Sequence, residues 1–257
     1  MIVVITGSSS GIGREVAAAL QAGGHQIVHV GRDPSRYAEV LAGDDEFVEC
    51  ELSSLASVAT AAGVVRRIST HIDLLINNAG GGGRRGQTVD GFELAFGVNY
   101  LSHYLLTRLL VTPSRVVNVS SEAHRPIDDL RPEKGLGSTT SLLGLREYRF
   151  SKAAQIAFTC ALAQRGLRAF ACHPGVIATD GWRNVPWPVR PLLTRRMQPP
   201  AAGAIPVLRA ATDSELSPGD YVTPRGVSTP NPVTTDPQNV ERLWSQSEEW
   251  VAPYLPL

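Results

Sequence analysis

Tyr148 and Lys152 are the two residues of this chain whose types and spacing most suggest chemistry. They stand four positions apart where a strongly helical stretch begins, which places both side chains on one helix face. Lysine is rare here, because Lys134 is the only other lysine among 24 basic residues. A free tyrosine has a pKa near ~10, and an ammonium about 4 Å away would lower it by about one to three units. The pair therefore predicts a general acid/base at Tyr148, the alternative being an incidental pair on a surface helix.

The elements that must position this pair follow from the alternation of short apolar runs with longer helical patterns. This alternation predicts an α/β fold with a doubly wound, Rossmann-like parallel sheet in a single domain over residues 1–257. The predicted strands are Ile2–Thr6, Gln26–Val30, Glu46–Cys50, Ile72–Ile76, Arg115–Ser120 and Arg168–Cys172. The predicted helices are Gly11–Ala22, Pro34–Ala42, Ser54–Ser69, Gly91–Leu110 and Leu145–Gln164, and a last strand at Tyr221–Val222 precedes a helix over Pro237–Trp250.

Composition excludes several classes of partner. Lys+Arg and Asp+Glu are equal at 24 each, so no basic field favours nucleic acid. The apolar runs fall short of the ~18 residues of a membrane span, and the N-terminal run is too short for a signal peptide. Cys50, Cys160 and Cys172 are odd in number and lack metal or redox spacing. They predict buried, reduced thiols in a cytoplasmic protein without a metal site.

A glycine-rich turn follows the first predicted strand and opens the first helix. It reads Gly7-Ser8-Ser9-Ser10-Gly11-Ile12-Gly13. Glycines let backbone amides approach a pyrophosphate, whose charge then lies at the positive N-terminus of the helix. The spacing differs from the usual Gly-x-Gly-x-x-Gly, and such a turn can also be a plain structural device. After strand one of a doubly wound sheet it predicts a dinucleotide site.

The end of the second strand indicates which dinucleotide is preferred. An acidic residue there accepts from the ribose hydroxyls of NAD, whereas a nearby arginine suits the 2′-phosphate of NADP. Here Gly31 takes the place of the acid and Arg32 follows it. We therefore predict NADP(H) rather than NAD(H), with Ser8, Ser9 and Arg32 near the phosphate. Alternatively, Arg32 and Asp33 form a solvated turn in which Asp33 caps the next helix.

Several motifs in order resemble those of the short-chain dehydrogenase/reductase family over essentially the whole chain. They are Thr6 to Gly13, Asn77-Asn78-Ala79-Gly80, Asn99, Asn118-Val119-Ser120-Ser121, Tyr148-x-x-x-Lys152 and Pro174-Gly175. The segments from Asp90 to Glu93, Phe96 to Thr107 and Ser114 to His124 are similar to the retinol-dehydrogenase-like subgroup.

The resemblance implies catalytic roles for four residues. Ser121 would hydrogen-bond the substrate carbonyl, and Tyr148 would donate its proton as hydride arrives at carbon. Lys152 would hold the nicotinamide ribose and lower the pKa of Tyr148, while Asn99 would organise a water leading to Lys152. A strand-end serine making a turn bond and a solvent-facing asparagine are the alternatives.

The resemblance also implies where the cofactor lies. Asn77 to Gly80 would pass beneath it, with Asn78, Ala79 and Gly80 in contact. Glu51-Leu52 would meet the adenine, although the family usually has aspartate at the first of these positions. Pro174, Gly175, Val176 and Thr179 would approach the nicotinamide amide, and a structural role is expected for His173.

The long interval between Ser121 and Tyr148 departs from the commoner members of the family. Ser138 and Ser141 are nearer to the tyrosine in sequence, but both fall in the predicted loop Gly135–Gly144. We keep Ser121 because it ends a strand, and rigid elements hold catalytic geometry better than loops.

The predicted function is an NADP(H)-dependent oxidoreductase, a ketoreductase or the reverse alcohol dehydrogenase, that acts on a hydrophobic carbonyl or alcohol. The stretch at about 176–200 is rich in proline and tryptophan and is predicted to be a substrate lid, although packing or an interface would also explain its apolar residues: Trp182, Val185, Trp187, Val189, Leu192, Leu193 and Met197. Because arginines lie among these apolar residues, contact of the lid with a membrane surface is an open alternative. A homo-oligomer would form through the helices from Gly91 and Leu145. A catalytically silent dinucleotide sensor or scaffold is the alternative function.

Overall fold

A computed structural model describes residues 1–110, 113–177 and 197–256 of the chain. Its centre is a sheet of eight strands in the order β3-β2-β1-β4-β5-β6-β7-β8, and all neighbours are parallel except β7 and β8. The strands are β1 (Ile2–Thr6), β2 (Gln26–Gly31), β3 (Glu46–Glu49), β4 (Leu74–Asn77), β5 (Arg115–Val119), β6 (Ala169–Cys172), β7 (Tyr221–Thr223) and β8 (Gly226–Ser228).

Helices cover both faces of this sheet. They are α1 (Gly11–Ala22), α2 (Leu55–Ile68), α3 (Leu94–Phe96), α4 (Ser102–Leu109), α5 (Leu145–Gln164), α6 (Pro200–Thr212) and α7 (Pro237–Val251). One π-helical turn, Gly97–Leu101, joins α3 to α4. None of the described helices is long and apolar enough to cross a bilayer.

The side chains of β1 show how the strands supply two cores. Val3 and Ile5 pack with α1 and α6, whereas Val4 faces the opposite way and packs with α2, α4, α5 and α7. All three are fully buried. Successive strand residues point to opposite faces, so a strand that is apolar at every position is covered on both sides. The predicted doubly wound fold is confirmed.

Most predicted elements agree with the structure to within two residues at each end, and β1, α1 and α5 have their predicted bounds. The predicted helix Pro34–Ala42 is wrong, because only a 3₁₀ turn, Pro34–Arg36, forms there. Asp33 caps that turn by accepting from the Ser35 amide at 3.0 Å, and Tyr37 then turns into the interior. The predicted helix from Gly91 starts later, at Leu94, and β8 was not predicted.

The strand order reverses at β1, which has β2 on one side and β4 on the other. In open α/β sheets, ligands bind at the carboxyl ends of the strands beside such a reversal. Thr6 and Asn77 lie at these strand ends and are fully buried. The sheet therefore brings the segments after β1, β4 and β5 to one edge.

Candidate active site

The turn after β1 has no room for side chains at two of its glycines. A Cβ on Gly7, whose φ is +68°, would lie 2.9 Å from Ala79 atoms. A Cβ on Gly13 would lie 2.5 Å from both Asn78 Nδ2 and the Gly7 carbonyl oxygen. Asn78 Nδ2 in turn donates to the Thr6 carbonyl at 2.8 Å. The loop after β4 thus holds the glycine turn in place. Asn78 and Ala79, which were predicted to contact the cofactor, also pack against this turn.

The N-terminus of α1 is open to an anion. Ser10 is the N-cap but makes no side-chain capping bond, and no acidic residue lies in the first turn. The first amides of a helix need partners, and its positive end favours a negative charge. The amides from Gly11 to Gly13 thus remain free for a pyrophosphate. The fully buried hydroxyl of Ser8, a residue predicted near the cofactor phosphate, bonds His29 Nδ1 at 2.8 Å.

Arg32 and Glu51 meet beside the end of β2. Arg32 NH1 lies 3.6 Å from Glu51 Oε2, and both side chains are about half exposed. Glu51 also accepts from the Ser53 amide at 2.9 Å, which ties it to the turn before α2. Leu52 is buried in the core. The sequence placed Arg32 at a 2′-phosphate and Glu51 at an adenine, and the structure adds that the two form an ion pair.

Ser121 and Tyr148 come together across the predicted loop. Ser121 follows β5, and its hydroxyl lies near enough to the Tyr148 phenol to lower the pKa of that phenol. The Ser121 oxygen also accepts from the Ala123 amide at 3.2 Å, which fixes the hydroxyl at the strand end. Ser141 instead donates to the Glu147 carboxylate, and Ser138 is exposed. Of these three serines, Ser121 is the one beside the tyrosine.

Lys152 is buried on the same face of α5 as Tyr148. Its ammonium donates to the Val119 carbonyl and to Gln155 Oε1, each at 2.8 Å, and lies 5.7 Å from the centre of the Tyr148 ring. Burial lowers the pKa of Lys152 to about 7. The lysine is therefore poised between its charged and neutral forms near neutral pH.

The pKa of Tyr148 does not move in the direction expected from sequence. Burial raises it above the ordinary value, and the nearby Ser121 hydroxyl partly offsets that rise. The Lys152 ammonium gives two of its protons to Val119 and Gln155, so in this state it does not act directly on the phenol. Tyr148 is thus a neutral phenol and a potential proton donor.

Asn99 lies in the π-helical turn with its side chain directed at the loop after β4. Its amide donates to the Gly81 carbonyl at 3.1 Å and to Ser151 Oγ at 2.9 Å, and it accepts from the Gly81 amide at 3.1 Å. Asn99 is 1% exposed, which removes the alternative of a solvent-facing residue. A Cβ on Gly80 would lie 2.6 Å from Asn99 Oδ1, so glycine is needed at that position.

His103 links this turn to the end of β1, and the sequence gave no reason to single it out. Its Nδ1 lies 3.0 Å from the Asn99 carbonyl oxygen, and its Nε2 lies 3.0 Å from Thr6 Oγ1. A carbonyl oxygen only accepts, so Nδ1 carries the proton and Nε2 of the neutral ring accepts from Thr6. The Thr6 oxygen itself accepts from the amides of Asn78 and Ala79 at 3.0 and 2.9 Å. Burial lowers the pKa of His103 to about 4, which keeps the ring neutral.

His124 plays a similar part at Ser121. Its Nδ1 donates to the Ser121 carbonyl at 2.7 Å, and its Nε2 accepts from the Asn231 amide at 3.1 Å. The ring is fully buried and packs edge-on against Tyr221. These contacts join residues that are distant in sequence, so the sequence alone carried no signal for them.

The segment after β6 reaches the same edge of the sheet. The His173 amide donates to the Val222 carbonyl at 2.8 Å, and Gly175 has a φ of +98°. Pro174 is buried, whereas Val176 is 60% exposed. Thr179 and most of the predicted lid, from 178 to 196, lie outside the described residues. Among the residues that the structure describes, no cluster of His, Cys, Asp or Glu could hold a metal ion.

All three cysteines are free thiols. Cys50 and Cys172 are buried as predicted, but Cys160 is only half-buried. Burial raises the pKa of Cys172, which lies near Lys152, to about 12. The thiol is therefore neutral and gives Lys152 no anionic partner.

The cradle of the glycine turn, the open N-terminus of α1 and the polar group around Tyr148 fit a dinucleotide that runs along the carboxyl edge of the sheet.

Comparison with known proteins supports this interpretation of the site. Residues 1–128 match the family model described as short chain dehydrogenase. The chain is 31% identical to human retinol dehydrogenase 13 over 97% of this chain and 84% of that protein. It is 33% identical to human retinol dehydrogenase 12 over 96% of this chain and 85% of that protein.

A solved structure shares the fold over the full length. The crystal structure of an uncharacterised protein from Mycobacterium paratuberculosis superposes with a TM-score of 0.80 and 31% sequence identity, covering 100% of this chain and 95% of that one.

Proposed function

Because the chain belongs to the short-chain dehydrogenase/reductase family and is retinol-dehydrogenase-like, we propose that it is an NADP(H)-dependent oxidoreductase acting on a hydrophobic carbonyl or its alcohol. That the chain is a hydride-transfer oxidoreductase follows from the family. The preference for NADP(H), the acid/base role of Tyr148 and the substrate class are the proposal. The nearness of the Ser121 hydroxyl to the Tyr148 phenol, beside buried Lys152, is the observation that carries it.

Proton transfer is assigned to Tyr148. A bound reduced nicotinamide would supply the hydride that adds to the carbonyl carbon. Tyr148 then gives its phenolic proton to the carbonyl oxygen, and Ser121 donates a second hydrogen bond to that oxygen. The raised pKa of Tyr148 keeps its proton available in the reductive direction. In the reverse reaction the same phenol must first lose its proton, which a charged Lys152 favours.

Lys152 and Asn99 support the phenol in this proposal. The Lys152 ammonium has a third proton beyond those given to Val119 and Gln155, and this proton is free for a ribose hydroxyl. A hydroxyl that accepts this third proton would favour the charged form and so raise the lysine pKa. Asn99 holds Gly81 and Ser151, and thereby fixes the loop that lies over Tyr148, where a Cβ on Gly82 would be 3.0 Å from the tyrosine ring.

The preference for NADP(H) rests on the end of β2. Gly31 provides no carboxylate for ribose hydroxyls, and the exposed Arg32 guanidinium lies beside it. Arginine pairs well with phosphate because its planar group donates two parallel hydrogen bonds. Binding a 2′-phosphate would exchange the exposed pair with Glu51, which is worth only about 0–1 kcal/mol, for a stronger contact.

A hydrophobic substrate is supported by the surface next to the start of α5. Leu142, Leu143 and Leu145 are 82%, 61% and 47% exposed and lie just before or at the first residue of α5, the helix that carries Tyr148. Exposed leucines beside a reactive group favour an apolar ligand. The names of the two relatives, which refer to the apolar alcohol retinol, point the same way.

We also propose a cytoplasmic location, consistent with the free thiols of Cys50, Cys160 and Cys172. A homo-oligomer formed through the helices near Gly91 and Leu145 stays a prediction.

The test is NADPH oxidation across a panel of apolar aldehydes and ketones, with wild type, Tyr148→Phe and the control Tyr254→Phe. We expect wild type and the control to reduce the same subset, and Tyr148→Phe to lose at least about 100-fold in kcat. Equal turnover by Tyr148→Phe contradicts the acid/base role. Tight NADPH binding without reduction of any substrate favours the alternative, a dinucleotide sensor.

A further inference from the structure

The end of β2 is filled by a side chain that the sequence did not single out. A Cβ on Gly31 would lie 2.1 Å from the hydroxyl of Tyr37 and 2.7 Å from its Cζ. A carboxylate at position 31, the kind of group that accepts from the ribose hydroxyls of NAD, would therefore have to occupy the space of this phenol. Position 31 therefore cannot carry an acidic side chain while Tyr37 occupies this space.

Tyr37 is held firmly in this position. It is 2% exposed, and its ring packs against Phe47 with centroids 4.8 Å apart and against His29 at 5.7 Å. The preceding 3₁₀ turn is fixed by Asp33, which accepts from both the amide and the hydroxyl of Ser35. Moving a ring packed on both sides would open space in the core. The phenol thus cannot swing aside at low cost.

The hydroxyl of Tyr37 lies where the phosphate loop meets β2. It donates a long hydrogen bond of 3.4 Å to the Val30 carbonyl, and it lies near enough to Ser8 and Ser9 of that loop for them to lower its pKa. Burial raises the pKa of Tyr37, so the group stays a neutral donor. In this fold the ribose next to adenine is bound between the first turn and the end of the second strand.

We propose that Tyr37 is a specificity-determining residue at the adenosine end of the cofactor site. When the cofactor binds, its phenol exchanges the long bond to the Val30 carbonyl for a hydrogen bond to the oxygen on the ribose 2′-carbon. The same phenol excludes a carboxylate from position 31. A donor beside Arg32 suits a phosphate, which only accepts at neutral pH, better than it suits a hydroxyl. This inference rests on the proposed use of NADP(H) and names a residue that sets the preference.

A direct consequence concerns Gly31. Replacing it with aspartate alone would force the new side chain into the Tyr37 ring and so damage the site for both cofactors. Aspartate at position 31 becomes tolerable only when Tyr37 is also made small. The cofactor preference should therefore change from NADP(H) to NAD(H) in the double variant Gly31→Asp/Tyr37→Ala. It should not change in Gly31→Asp alone.

The test measures calorimetric binding of adenosine 2′,5′-bisphosphate and of AMP, which carry the adenosine end alone. Proteins compared are wild type, Tyr37→Phe, the single and double variants at Gly31, and the control Tyr254→Phe. Wild type and the control should prefer the bisphosphate. Tyr37→Phe should weaken the bisphosphate by about five- to tenfold, the value of one hydrogen bond to a charged group, and AMP by less than about twofold. The double variant should prefer AMP.

Tyr37→Phe is nearly isosteric, so it carries the test even where the double variant fails to fold. Unchanged affinity of Tyr37→Phe for both ligands, or equal weakening of both, overturns the inference. A wild type that prefers AMP overturns it together with the NADP(H) preference. Failure of the oxidoreductase proposal would give a different result: the protein would still prefer the bisphosphate but would reduce no carbonyl.

Discussion

The imidazole of His103 donates Nδ1–H to the main-chain oxygen of Asn99, 3.0 Å away, from one turn further along the chain. Through Nε2 the same ring accepts from Thr6 at the end of β1. The π-helical turn that contains Asn99 is thereby tied to the strand from which the phosphate loop starts. His103 touches no reacting group and is therefore a positioning residue.

Replacing His103 should affect turnover more than cofactor binding. His103→Phe removes the donor to Asn99 and leaves the Thr6 hydroxyl without its acceptor, which should cost about 1–3 kcal/mol of unfolding free energy. We expect kcat to fall at least about tenfold while the Kd for NADPH changes little. His103→Gln retains an amide donor and should restore part of kcat. Urea unfolding, calorimetry and steady-state kinetics separate these effects, and a loss of stability without a loss of kcat contradicts the positioning role.

The identity of the catalytic serine can be tested by comparing two serines. Ser121→Ala removes the hydroxyl beside Tyr148 and should lower kcat by about 10²-fold, as the loss of one donor to a developing oxyanion does. Ser141→Ala instead removes a donor to Glu147 and should mainly lower stability. The check is kcat against the melting temperature for both variants. A larger kcat loss for Ser141→Ala would transfer the role to the loop.

Glu51 should weaken NADPH binding in the wild type. Its carboxylate pairs with Arg32 at 3.6 Å and would face the 2′-phosphate. Glu51→Gln frees the guanidinium and removes a like charge, so the Kd for NADPH should fall by about two- to fivefold. The Kd for NADH should change less. Glu49→Gln, an exposed position on β3, is the control. Tighter NADH but unchanged NADPH binding would point to a different place for the phosphate.

Arg32→Ala should have the opposite effect. Loss of a charge-assisted contact to phosphate costs about 1.5–3 kcal/mol, so NADPH should bind at least about tenfold more weakly. NADH binding should fall by less than about twofold, because the ribose hydroxyls do not need the guanidinium. Direct fluorescence titration of both cofactors measures this, and an equal loss for the two would assign Arg32 a general structural role.

Lys152 should make stability depend on pH in the cofactor-free protein. Its pKa falls from 10.5 to about 7 on folding, so between these values the unfolded chain binds more protons. Stability then rises with pH above about 7, by at most ~1.4 kcal/mol per pH unit. Lys152→Met lacks this contribution. The free energy of unfolding of both proteins is measured with urea at about pH 7 and about pH 8.5. Relative to Lys152→Met, wild type should be more stable at the higher pH than at the lower. A difference independent of pH would mean that the folded lysine keeps its ordinary pKa.

Local patterns explain what could be predicted. The predicted bounds of β1, α1 and α5 match the structure, and glycines lie at or near the ends of all three elements. The helix predicted at Pro34 failed because Asp33 and the burial of Tyr37 outweigh local helix propensity. β8 was missed because a three-residue edge strand carries too little pattern.

By itself, the sequence determined the doubly wound fold, the phosphate turn and the residue types around Tyr148, since each rests on local spacing. Only the tertiary structure showed that His103 ties the turn at Asn99 to the end of β1 and that Tyr37 fills the space beside Gly31. Only it showed that Ser121, the serine chosen from the sequence, lies beside the tyrosine, and that Lys152 gives two of its protons to Val119 and Gln155. The physical reason is that hydrogen-bond partners and the burial that shifts a pKa are set by chain segments distant in sequence, which no local pattern encodes.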